Sequence, residues 1–123
     1  MDLDYISDMD KKFQKELNAG IGALLLLSTL NRSNGPLYGY QIAKVIEESR
    51  KDGPMIKLGT LYPVLRSLEE NGLLESEVEP SVTGPPRRYY QITEQGRKTL
   101  EHWLRIWFQT KEFVNKHLKE GNQ

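Results

Sequence analysis

The stretch Leu58-Gly59-Thr60-Leu61-Tyr62-Pro63-Val64-Leu65-Arg66-Ser67-Leu68-Glu69-Glu70-Asn71-Gly72 runs on through Leu74-Glu75-Ser76-Glu77-Val78-Glu79 to Arg87-Arg88-Tyr89-Tyr90-Gln91-Ile92. Its apolar period changes midway, and that change decides the fold. In the first part Leu61, Leu65 and Leu68, with Val64, recur at three- and four-residue steps, which places them on one side of a helix. Pro63 has no amide hydrogen and is tolerated only in a first turn, so the helix begins near Leu58 or Gly59. Asn71-Gly72 closes it as a C-terminal cap. From Leu74 to Glu79 the side chains alternate as in a half-buried strand, Arg87 to Ile92 can do the same, and Pro80 to Pro86 lies between them as a loop. The expected pairing sets Leu74 opposite Ile92 and Val78 opposite Arg88 on one face, with Glu77 opposite Tyr89 and Glu79 opposite Arg87 on the other.

Upstream, Met9, Phe13, Leu17, Ile21, Leu24, Leu25 and Leu27 hold helical spacing, so a long first helix is expected from Met9 to Leu30. Its last two turns are apolar on nearly every side, which implies enclosure by more than one neighbour. Asn34-Gly35-Pro36 breaks it. Ile42, Val45 and Ile46 then give a shorter helix ending near Arg50-Lys51-Asp52-Gly53-Pro54, and Met55 to Lys57 suffice only for a short strand or extended linker. Downstream, Thr93 with Glu94 and Gly96 opens a last helix that carries Leu100, Trp103, Leu104, Trp107, Val114 and Leu118. The order helix, helix, helix, hairpin, helix is that of a winged helix-turn-helix, whose third helix enters a DNA major groove. The expected fold is therefore mainly α with a small β-hairpin. Residues 1–92 form the DNA-binding domain with its N-terminal helix, and residues 93–123 a C-terminal dimerisation helix.

The composition narrows the function. A chain of 123 residues makes one domain, and 37% apolar with 28% charged residues suits a soluble fold. Seventeen Lys plus Arg balance 17 Asp plus Glu, so any attraction to nucleic acid must be local. The absence of cysteine excludes disulfides and thiol chemistry and fits a reducing cytoplasm. Met1-Asp2-Leu3-Asp4 is acidic where a signal peptide would be basic, and no apolar run approaches the ~18 residues a membrane span needs. Neither a phosphate-binding glycine loop nor a Gly-x-Ser-x-Gly nucleophile motif occurs. His102 and His117 lie about 22 Å apart along one helix and cannot share a metal within a subunit. Glu47-Glu48 and Glu69-Glu70 diverge as adjacent helical residues do, which makes them solvated faces rather than acid-base pairs. An enzyme is not expected, and no cofactor is called for.

Three stretches carry a family resemblance. Leu37-Tyr38-Gly39-Tyr40-Gln41-Ile42 is assigned to the second helix. Gly59-Thr60-Leu61-Tyr62-Pro63-Val64-Leu65, with Leu68-Glu69 and Gly72-Leu73-Leu74, belongs to the third. Arg87-Arg88-Tyr89-Tyr90-Gln91-Ile92-Thr93, with Gly96, covers the second strand. In these the chain resembles the PadR-like transcriptional regulators over about residues 20 to 110, in particular their smaller branch with a single C-terminal helix. The resemblance implies a dimeric DNA-binding regulator, usually a repressor, that dimerises through its first and last helices. Many members carry Ser or Thr just before the third helix, where Lys57-Leu58 stands here, and the wing tip Ser81-Val82-Thr83-Gly84-Pro85-Pro86 is poor in charge.

With Leu61, Leu65 and Leu68 turned inward, Thr60, Tyr62, Pro63, Arg66 and Ser67 point outward as the DNA-contact candidates. Arginine can bond two acceptors on a guanine edge, Thr60 can reach a base or phosphate, and Tyr62 a phosphate oxygen. Lys57 stands at the helix start, where free amides add a weak anion site. The plainer alternatives are that Arg66 pairs with Glu69 or Glu70 and that Tyr62 lies against the domain. Tyr40, Gln41 and Lys44 begin the second helix, a usual place for phosphate contacts. Arg87 and Arg88 on the second strand complete the DNA-binding set, although Glu79 opposite Arg87 offers a structural pairing. Glu75, Glu77 and Glu79 would repel phosphate, which shifts the weight to the third helix.

Phe13, Leu17, Leu100, Trp103, Leu104, Trp107 and Val114 form the expected dimer interface, because so long an apolar stripe needs a partner surface and a two-fold related chain supplies one. Some relatives use a tryptophan on this helix to stack planar aromatic ligands between subunits, which makes Trp103 and Trp107 the alternative ligand site. The resulting expectation is a cytoplasmic homodimer that reads a pseudo-palindromic operator with residues 58–71. Two readings compete with it: a multidrug or phenolic-ligand sensor with an aromatic interface site, and a winged-helix protein-interaction module without DNA binding.

Overall fold

The computed structural model describes residues 3–49 and 57–121. Helix α1 spans Leu3–Arg32, strand β1 Leu37–Tyr38, α2 Gly39–Ser49, α3 Leu58–Glu70, β2 Leu74–Glu79, β3 Arg87–Ile92 and α4 Glu94–Gly121. The end of the second helix expected at 50–54 and the extended stretch expected at 55–56 lie outside the described residues.

Three expectations need correction. Pro63, expected in the first turn of its helix, is the sixth residue of α3 and lies inside it. Helix α1 begins at Leu3 rather than Met9. Leu37 and Tyr38, assigned above to the second helix, form strand β1 and pair antiparallel with Tyr90 and Tyr89. The sheet is therefore three-stranded in the order β1-β3-β2, not a two-stranded hairpin. Pro36 keeps the chain extended before α2 starts, and β3 has a second edge whose amides and carbonyls need partners. The β2–β3 register is the expected one, with Leu74 against Ile92, Glu77 against Tyr89, Val78 against Arg88 and Glu79 against Arg87.

The core forms where three helices meet one face of the sheet. Leu26, Leu27 and Leu30 of α1 pack with Ile42 of α2, Leu61, Leu65 and Leu68 of α3, and Leu74, Tyr90 and Ile92 of the sheet. Each fully buried leucine contributes about 1.5–3 kcal/mol by leaving water. The apolar end of α1 is thus enclosed on several sides, as its pattern required.

Helix α3 ends in a Schellman cap. Gly72, at φ +78°, adopts the left-handed conformation and donates its amide to Glu69 O at 3.0 Å, while Leu73 N donates to Leu68 O at 2.9 Å. The chain thereby turns straight into β2. Among the described residues no helix is long and apolar enough to cross a membrane.

Candidate nucleic-acid interface

Burial of Leu61, Leu65 and Leu68 leaves Thr60, Tyr62, Pro63, Arg66 and Ser67 on the solvent side of α3, all exposed. The helix starts at Lys57, which is exposed and makes no side-chain cap; its carbonyl accepts from Thr60 N at 3.0 Å. The pairing considered between Arg66 and Glu69 or Glu70 does not form: among the described residues no ion pair or hydrogen bond engages Arg66. Glu69 is occupied elsewhere, accepting from Ser76 Oγ, which accepts in turn from Arg88 Nη1 at 3.0 Å. Arg88 is thereby held against the flank of α3.

Tyr62 packs against the domain, as the plainer alternative had it, and stays partly exposed. Its ring lies where a side chain on Gly39 would stand, 2.8 Å from an ideal Cβ, yet the residue keeps 45% of its surface exposed. Between α3 and the sheet, Tyr62, Arg66, Glu69, Glu70, Arg88 and Tyr90 line an open groove of about 480 Å³. Tyr90 at its floor is buried; desolvation raises its hydroxyl pKa above the ordinary tyrosine value, with Arg88 opposing and Glu69 reinforcing the shift.

At the head of α2, Tyr40 and Lys44 are exposed, but Gln41 Oε1 accepts from Tyr38 N at 3.1 Å and so caps the helix rather than standing free. The expected Arg87–Glu79 pairing is corrected as well. The two stand opposite in register, yet the Arg87 guanidinium lies over the Tyr38 ring, 4.6 Å from its centroid. Tyr38 also meets Tyr89 edge-on at 5.4 Å and stacks on Tyr40 at 6.5 Å. The cause is β1: the third strand sets Tyr38 beside β3, nearer to Arg87 than the hairpin alone would suggest. Sequence reasoning missed Tyr38 and the Ser76–Glu69 link. The signal for the latter was a serine among Leu74 and Val78, a polar residue on the inward side of a strand.

The sheet also sorts the charges. Glu75, Glu77 and Glu79 line a separate groove with Tyr89 and Gln91, on the face opposite the one Ser76 turns towards α3, and Glu75 accepts from Gln91 Nε2 at 2.6 Å. By strand alternation these carboxylates lie on the sheet face turned away from α3.

The expected interface residues divide in two. Phe13, Leu17, Leu104, Trp107 and Val114 are exposed on α1 and α4, and Trp103 is half-buried. Leu100 belongs instead to its own chain's core at 4% exposure, because α4 packs on the body over its first turns, as far as Trp103. A groove of about 510 Å³ lies between α1 and α4, lined by Leu17, Gly20, Ile21, Leu24, Trp103 and Trp107 among others.

Known proteins share this arrangement. The model of the transcriptional regulator PadR-like family matches residues 26–102. A PadR family transcriptional regulator from Eggerthella lenta superposes with a TM-score of 0.77 at 33% identity, over 93% of this chain and 96% of that one. A transcriptional regulator from Clostridium thermocellum does so at 0.71 and 34% identity, over 82% and 93%. Transcriptional regulator Rv3488 of Mycobacterium tuberculosis is 43% identical over 58 residues, 47% of this chain and 53% of that relative. Regulators rather than enzymes share the fold, and the family model covers more than half of the sequence, from the end of α1 through the wing into α4. This chain belongs to the PadR-like family of transcriptional regulators.

Proposed function

We propose that the protein is a homodimeric DNA-binding regulator, a repressor in output, that reads a pseudo-palindromic operator by inserting α3 of each subunit into successive major grooves ~34–36 Å apart. The observation that carries this reading is the outer face of α3. It presents Thr60, Tyr62, Pro63, Arg66 and Ser67 together, with an arginine that no carboxylate among the described residues pairs with. Arg66 is the proposed base reader. Lys57, Thr60, Tyr62, Ser67, Tyr40 and Lys44 serve the backbone, and Arg88 approaches it from the sheet. Arg87, engaged with Tyr38, contributes less than its charge suggests. Residues 1–92 bind DNA and residues 93–123 dimerise, the first turns of α4 being shared with the core. Occupied, the operator is closed to transcription in the cytoplasm.

The dimer is supported by the exposed apolar residues of α1 and α4, too many for a free surface and already arranged along two helices. The test is titration of the purified protein on selected and random DNA at rising salt. A dimer touching ~6–10 phosphates loses about 10³–10⁵ in affinity between roughly 50 and 200 mM salt. A flat response removes the DNA reading. A second reading, effector binding between subunits, draws on the groove beside Trp103 and Trp107; quenching of their fluorescence by planar aromatic cations or phenols supports it, and silence across such a panel refutes it.

A further inference from the structure

Thr93 stands where the sheet hands over to α4, and its hydroxyl serves two elements at once. Oγ1 accepts from the Gly96 amide at 3.0 Å and donates to the Gly72 carbonyl at 2.8 Å. Its own amide donates to Leu73 O at 3.1 Å. The bond from Gly96 is an ordinary helix N-cap. The bond to Gly72 is not needed for capping: it reaches the left-handed residue that closes α3. Gly96 tightens the same seam, since a Cβ there would meet Leu73 O at 2.2 Å. The first turn of α4 thus packs closely on the Gly72-Leu73 backbone that follows α3, with the Ile92 and Gln95 side chains beside it.

We infer that the Thr93–Gly72–Gly96 junction is a positioning device that fixes the direction of α3 relative to α4, so that pairing of the α4 helices sets the separation of the two reading helices on DNA. The inference rests on the dimer and reading-helix roles proposed above. The lever is long. Thr93 and Trp107 are fourteen residues apart, about 21 Å of helix, so a tilt of about 5° at the junction moves the far end by about 2 Å. One base pair of spacing is about 3.4 Å. A stiff seam therefore rejects operators whose half-sites are one base pair too close or too far, and a loose one accepts them.

The experiment uses the full chain. An operator is selected from random DNA with the unaltered protein, and affinity is then measured for it and for versions with one base pair added or removed between the half-sites. The unaltered protein prefers its own spacing by about tenfold or more, the scale of one mismatched pair. Thr93→Asp keeps an acceptor for the Gly96 amide, at a helix start that favours negative charge, but cannot donate to Gly72. Its melting temperature stays close to that of the unaltered protein while its spacing preference falls below about threefold. Thr93→Ser restores the donor and the preference together. A Thr93→Asp protein that still discriminates tenfold overturns the inference, as does one that weakens equally at all three spacings. If the unaltered protein selects no DNA, the reading role fails and takes the junction with it; normal discrimination by the aspartate variant on a selected operator sinks the junction alone.

Discussion

Cε1 of Tyr62 lies 2.8 Å from where a Cβ on Gly39 would be, so the tyrosine of α3 occupies the space that any other residue at the head of α2 would fill. The two helices of the DNA-reading motif are held in register by a ring that is itself part of the exposed face.

Gly39→Ala separates the packing of Tyr62 from its proposed DNA contact. The obstacle is the end of a half-exposed side chain, so the ring swings aside rather than the backbone, and alanine returns up to about 1 kcal/mol of helix propensity. The variant should unfold within about 1 kcal/mol of the parent in urea and bind its operator about tenfold more weakly, a loss of about 1.4 kcal/mol. Unchanged affinity would take Tyr62 off the contact surface.

Gly96→Ala should behave in the opposite way. Here the obstacle is a backbone carbonyl, Leu73 O, at 2.2 Å, which has no rotamer to change. Overpacking of this kind costs about 1–3 kcal/mol, occasionally more, and the upper end applies because two backbone segments must part. Urea unfolding at constant slope measures it; a variant as stable as the parent would show that the seam between α3 and α4 is soft.

How much of this was legible depended on how local each instruction was. The α3 stripe, its Asn71-Gly72 ending and the β2–β3 register could all be read, because each is a short-range pattern in which one shifted residue would expose leucine or bury glutamate. Leu37 and Tyr38 could not be read as a strand: two residues carry no period, and they are extended because the edge of β3, some fifty positions later, lies beside them. The exposed residues of α3 were readable from the same stripe, whereas the partners of Arg87 and Arg88 were not. Register names the residue opposite, but Tyr38 from a third strand and Ser76 beside Glu69 compete for those guanidinium groups. Leu100 was misassigned to the interface for a similar reason, since helical spacing shows which residues share a face but not where along α4 the domain body ends.

Tyr90→Phe tests the electrostatics of the groove floor. Burial raises the pKa of Tyr90 above its unfolded value of 10.0, so the folded chain holds that proton more tightly. The associated stability is complete below pH 10.0 and is lost as pH rises from there through the folded value, where the unfolded state releases its proton first. Unfolding of parent and Tyr90→Phe from pH 8 to about 11 should show the parent alone bearing this alkaline loss. Parallel curves would mean that the hydroxyl is hydrated in the fold.

Arg66→Ala bears on the reading mechanism. The side chain is exposed and no ion pair engages it among the described residues, so its removal should change stability by no more than about 0.5 kcal/mol. As a base reader it should cost about 1–3 kcal/mol of operator affinity and relax selectivity at one position of each half-site. A uniform loss across all sequences, with the salt slope reduced by about one, would reassign it to a phosphate.

Trp107→Lys should dissolve the dimer. Trp107 is 37% exposed in the isolated chain and lies on a helix where Leu104, Ile106, Phe108, Phe113 and Val114 are exposed too. In a two-fold interface the residue is lost twice. If each tryptophan buried there is worth about 3 kcal/mol, the low end for deletion from a core, the dimer loses about 6 kcal/mol, or about four orders of magnitude in dissociation constant. Sedimentation at micromolar concentration should find the parent dimeric and the variant monomeric. The variant should bind a whole operator no better than a half-site, because the second half-site no longer profits from the effective concentration that dimerisation provides. A parent that sediments as a monomer, or a lysine variant that remains a dimer, would show that the apolar length of α4 serves some other contact.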